Sequence, residues 1–76
     1  MSFEFTTIQR DVATASLTRA GELGYRAFNA VLGERLDFVH QVPLDSGAMA
    51  DWLAALPDEA NSGDVYASLE PARLHR

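Results

Sequence analysis

Residues 23 to 44 read Leu-Gly-Tyr-Arg-Ala-Phe-Asn-Ala-Val-Leu-Gly-Glu-Arg-Leu-Asp-Phe-Val-His-Gln-Val-Pro-Leu, and the fold turns on whether this stretch is pleated. In its second half Leu36, Phe38, Val42 and Leu44 point one way while Arg35, Asp37 and Gln41 point the other, the period-two pattern of a half-buried strand. Gly33-Glu34 suits a two-residue hairpin with glycine first, as a type II′ turn requires. That turn pairs Phe28 with Val39, Arg26 with Gln41, and Tyr25 with Val42. One face of the hairpin then holds Tyr25, Ala27, Val31, Leu36, Phe38, Val42 and Leu44 as core. The opposite face holds Arg26, Phe28, Ala30, Asp37, Val39 and Gln41.

An apolar centre with a polar rim is the anatomy of a small protein interface. On that ground the expected partner-binding residues are Arg26, Phe28, Asp37, Val39 and Gln41. Ordinary surface is the competing reading, because single exposed apolar side chains are normal. A one-residue slip in register would exchange the two faces.

Toward the N-terminus, residues 3 to 8 and 12 to 18 are rich in β-branched and aromatic side chains and read as two more strands, with Ala20-Gly21-Glu22 as a turn. A single helix over residues 11 to 32 competes with this. Strands are preferred because Gly21 and Gly24 would each cost a helix interior about 1 kcal/mol relative to alanine, although the alanines argue the other way. Toward the C-terminus, Asp45 or Ser46 can cap a helix whose Met49, Trp52, Leu53 and Leu56 recur at helical spacing, and Pro57 ends it. Ser62 or Asp64 starts a second helical segment with Val65, Tyr66 and Leu69 as its apolar side, shortened by Pro71. The expected fold is therefore α+β: an antiparallel β-sheet, a meander of three to four strands, with two short C-terminal helices packed on one face. Residues 1–76 form a single domain.

The formal charge is −5, eleven acids against six arginines and no lysine. A phosphate-binding surface needs the opposite balance, so direct nucleic-acid binding is disfavoured. Asp45, Asp51, Asp58, Glu59, Asp64 and Glu70 succeed one another with no cation between them. They read as a solvated face, or as a patch that steers the domain to a basic partner. The sequence contains no cysteine, which fits a reducing cytoplasm. No run approaches the ~20 apolar residues that cross a bilayer, and Met1-Ser2-Phe3-Glu4-Phe5 lacks the basic start and apolar run of a signal peptide, so a cytoplasmic location is expected.

Catalysis is not expected. His40 and His75 lie far apart, no glycine-rich phosphate loop or HExxH spacing occurs, and no cofactor or metal is implied. His40 reads as a core histidine hydrogen-bonded to backbone. Asp45-Ser46 is better explained as a helix cap than as a nucleophile pair.

The run from Asp45 to Pro57 reads Asp-Ser, an apolar residue, Trp52, then Leu56-Pro57. With the Gly33 turn, the Met-x-Phe start and the positions Phe3, Arg26, Asn29 and Val31, it resembles the small type I-F anti-CRISPR proteins of phages. The resemblance implies a four-stranded antiparallel sheet with two helices. It also implies a protein that docks on the backbone subunits of a type I CRISPR surveillance complex and stops target DNA from pairing with the guide. That family presents tyrosines and a glutamate from its sheet. The nearest positions here hold Thr18 and Phe28, so those contacts do not carry over. The expected function is thus a non-enzymatic protein inhibitor. The alternative is a small interaction domain, antitoxin-like or a homodimer paired through the same sheet face.

Overall fold

The strand at the centre of the sheet comes from a stretch expected to be helical. In the computed structural model, which describes residues 1–33 and 37–75, the elements run β1 (Ser2–Thr6), α1 (Arg10–Glu22), β2 (Ala27–Leu32), α2 (Ser46–Ala55) and β3 (Ser62–Ser68). Short 3-10 turns cover Thr7–Gln9, Asp58–Ala60 and Pro71–Leu74. The strand order is β1-β3-β2, and β3 is antiparallel to both neighbours. The expected meander with two C-terminal helices is therefore corrected to three strands, with the helices interleaved between them.

Each departure has a local cause. Along β3, Gly63, Val65 and Ala67 are buried in alternation with half-buried Asp64, Tyr66 and Ser68, a clean period of two. Val65, Tyr66 and Leu69 fit a helical spacing on paper, but Leu69 stands 70% exposed beyond the strand's end.

Residues 12 to 18, expected as a strand, lie inside α1. Its inward stripe is Ala13, Leu17 and Ala20, at i, i+4 and i+7, all buried. The two glycines that argued against a helix sit at its end. Gly21 occupies the last turn, and Gly24 lies beyond it at φ +98°, a conformation glycine enters without steric cost. There Tyr25 N–H donates to Ala20 C=O (3.1 Å) and Gly24 N–H to Gly21 C=O (3.0 Å), the paired bonds of a Schellman stop.

α2 lies where its cap and stop place it: the Asp45 carboxylate accepts from Ala48 N–H at 2.7 Å, and the helix ends before Leu56-Pro57.

The expected return strand from 35 to 44 is corrected: among residues 37–44 no strand forms, and a single isolated bridge joins Leu44 to Phe28. Phe28 and Leu44 exchange both backbone hydrogen bonds, at 2.8 and 2.7 Å, and Val39 N–H donates to Ala30 C=O at 2.7 Å. The expected hairpin had set Phe28 opposite Val39 instead. Glu34, Arg35 and Leu36, which would complete the Gly33 turn and part of the expected core, lie outside the described residues.

One face of the sheet carries Phe5, Val65, Ala67, Phe28 and Ala30 beneath α1 and α2, together with Met49 and Leu53. The other carries Asn29, Val31 and Tyr66. It is covered over β2 by the residues around Leu74, which is 5% exposed, and Phe38 packs edge-on to Tyr66 at 5.6 Å.

Candidate functional site

The five residues expected to bind a partner are not one surface. Phe28 is fully buried under the helices, so the dry centre of the expected interface is core. Ala30, from the same expected face, is also buried, and so are Ala27 and Val31 from the opposite one. Strand β2 is covered on both sides, which leaves no open face for docking. Arg26, Asp37 and Gln41 are exposed and Val39 is half-buried, strung along the outer margin of β2.

The acidic run is also divided. Asp45 caps α2, Asp58 meets Arg10 at 2.9 Å, and Glu70 meets Arg73 at 2.8 Å. Arg10 does more than pair. Its guanidinium also donates to the carbonyls of Leu53 (3.1 Å) and Ala54 (3.0 Å), placing a cation at the C-terminal, negative end of α2.

His40 packs toward the core, its ring 5.0 Å from Trp52 and edge-on, but the expected side-chain hydrogen bond to backbone is not found among the described residues. Its Nε2 is buried and finds no hydrogen-bond partner among the described residues. Burial pushes the imidazole below its ordinary pKa, because the charged form loses hydration that nothing replaces. The fold therefore favours neutral His40, while the unfolded chain takes up a proton near pH 6.5. Stability is intact above that pH and falls as pH drops from it toward the lowered folded value. Urea denaturation at pH 7.5 and 5.5 will show a larger loss for the native chain than for His40→Gln. Equal losses would remove His40 as the cause.

Among the described residues no three His, Cys, Asp or Glu side chains are grouped to hold a metal, and no helix is long and apolar enough to cross a membrane. The sheet does place Glu4 of the edge strand β1 directly opposite Asp64 of the central strand β3, two carboxylates that lie sixty positions apart in sequence.

The contiguous apolar surface lies elsewhere, between β1 and α1. Phe3 of β1 and Met1 just before it face Val12, Ala15, Ser16 and Arg19 of α1 across a groove of about 410 Å³. Val12, Ala15, Ser16 and Arg19, with Leu23 at the helix's C-cap, recur at i, i+3, i+4, i+7 and i+11, a second stripe of mixed character about a quarter turn round the helix from the buried Ala13, Leu17 and Ala20. Val12 is 53% and Leu23 55% exposed, Met1 is 50% exposed, and Ile8 in the turn leading to α1 is 93% exposed. The stripe was hidden in the sequence because residues 12 to 18 were read as a strand, in which Val12 and Ala15 fall on opposite faces. Read as a helix, the same residues give a buried apolar stripe and a partly apolar flank beside it, and a helix over a single sheet buries the first. Comparison with protein-family models, curated proteins and solved structures finds no match.

Proposed function

We propose that this domain is a non-enzymatic interaction module that binds protein through the α1–β1 groove. The supporting observation is the exposed Val12 and Ala15 of α1, flanked by Ser16 and Arg19 and set beside Met1 and the half-buried Phe3 in a chain otherwise rich in surface acids. Single exposed apolar residues are ordinary. A continuous set on two elements around one groove is the pattern of an interface with a dry centre. Arg19 lines it and supplies a charge at its border.

The experiment compares a tagged native domain with a Val12→Asp/Ala15→Asp variant for capture of proteins from the producing cell. Both side chains point away from the core, so circular dichroism should be unchanged while capture is lost. An identical set of captured proteins would end the proposal. Type I CRISPR surveillance complexes are the first targets to include. That narrower reading rests on the sequence resemblance alone, and the four-stranded sheet the resemblance implies is not the sheet found.

A further inference from the structure

We infer that the occupant of the α1–β1 groove is a second copy of this chain, joined across a two-fold axis by β1 pairing with β1 and α1 packing on α1. This rests on the reading that the groove binds protein and adds the identity of the partner.

The first support is the open strand edge. Met1 exchanges backbone hydrogen bonds with Ala67 at 3.1 and 2.9 Å, so Met1, Phe3 and Phe5 aim their backbone groups at β3. Ser2, Glu4 and Thr6 aim theirs outward, and among the described residues no strand pairs with that edge. An edge of this kind is a template for another strand.

The charges select the register. Centring the pair on Glu4 would set two glutamates face to face, each already beside Asp64, and like charges directly opposite are unfavourable. Centring it on Phe3 pairs Ser2 with the other copy's Glu4 through outward-facing backbone groups. The two Phe3 rings then meet as the close, non-hydrogen-bonded pair at the axis.

The helix agrees with this centre. Phe3 shares its groove with Val12, Ala15, Ser16 and Arg19, a span whose midpoint is Ala15-Ser16. A two-fold axis through Phe3 therefore crosses the helices at their smallest side chains, where backbones approach closely. The helices run antiparallel there, which brings Arg19 near the C-terminal end of one stripe toward Asp11 near the N-terminal end of the other. Within one copy, among the described residues, Arg19 meets Glu22 at 3.5 Å with both side chains mostly exposed. A stable interface needs about 600 Å² from each copy. That is roughly an eighth of the chain's 4901 Å² surface, within reach of a five-residue edge and the outer face of a thirteen-residue helix.

The test combines solution mass with cross-linking, which the absence of native cysteine makes clean. Light-scattering mass of the native chain across micromolar concentrations should rise to twice the chain mass, and Val12→Asp/Ala15→Asp should hold it at one. Under mild oxidation Phe3→Cys should link into a covalent dimer, because Cα atoms of a close antiparallel pair fall within disulfide reach, and Glu4→Cys should not. A native chain that stays at one chain mass overturns the second copy. If it nevertheless captures another protein, lost in the Val12→Asp/Ala15→Asp variant, the groove reading stands without this inference. A dimer that persists in that variant, or that links through Glu4→Cys in preference to Phe3→Cys, overturns the proposed face and register.

Discussion

Asn29→Leu will remove about 4 kcal/mol of folding stability, enough to leave much of the chain unfolded at room temperature. Asn29 is fully buried in β2, and its side-chain amide is used to capacity. Its Nδ2 donates to the carbonyls of His40 (2.8 Å) and Leu74 (2.7 Å). Its Oδ1 accepts from the N–H groups of Ala30 (2.8 Å) and His40 (3.1 Å). One side chain thus ties β2 to the segment after it and to the turn Pro71–Leu74. Leucine has the same branching and number of heavy atoms, is somewhat larger, and has none of the hydrogen-bonding groups, so several backbone groups would be left buried and unpaired, at about 1–3 kcal/mol each before relaxation. A domain of this size has roughly 4–11 kcal/mol in total. Urea denaturation followed by Trp52 fluorescence reads the loss directly. A cost below about 1 kcal/mol would mean that water replaces the amide at little expense, and that Asn29 is not the tie between these three segments.

Asn29 also shows what the sequence could not reveal. Polar side chains on a strand carry no mark of burial, and neither expected face of the hairpin includes Asn29. Three of its four bonds reach backbone groups eleven or forty-five positions away, and periodicity carries no signal for such bonds. Local chemistry was legible: Asp45 as a cap and Pro57 as a stop bracket α2 where expected, because caps act within a single turn. The Leu23-Gly24-Tyr25 stop of α1 was equally local, but Gly24 was weighed as a helix interior cost and not as an end. β3 was harder. Its outer register is fixed by β1 and β2, which arrive from more than thirty positions away, and seven residues containing two valine- or alanine-sized core positions suit either period. The expected contact face failed through register. Phe28 pairs with Leu44, five positions from the expected Val39, and an odd shift exchanges the faces of a strand.

Gly63→Ala should cost about 3 kcal/mol, the scale of overpacking at a site that cannot yield. Gly63 lies in the central strand, opposite Phe5 on β1 and Leu32 on β2. A Cβ built there overlaps the carbonyl oxygen of Val31 and comes within 3.0 Å of the Phe5 ring. The first neighbour is sheet backbone and cannot rotate away. The second is held in turn, since the Phe5 ring packs edge-on against Trp52 at 6.1 Å. Added bulk must therefore part β3 from β2 or push Phe5 into the core, and Trp52 will report the second outcome by a shifted emission maximum. Gly47→Ala is the control. It sits in the first turn of α2 with only the Asp45 carboxylate at 3.5 Å, so alanine fits. The substitution should stabilise by about 0.5 kcal/mol through a less flexible unfolded chain. Opposite signs for the two glycines would show that close approach, and not intrinsic propensity, requires glycine at 63. A neutral Gly63→Ala would mean that the central strand is packed less tightly than this sheet requires.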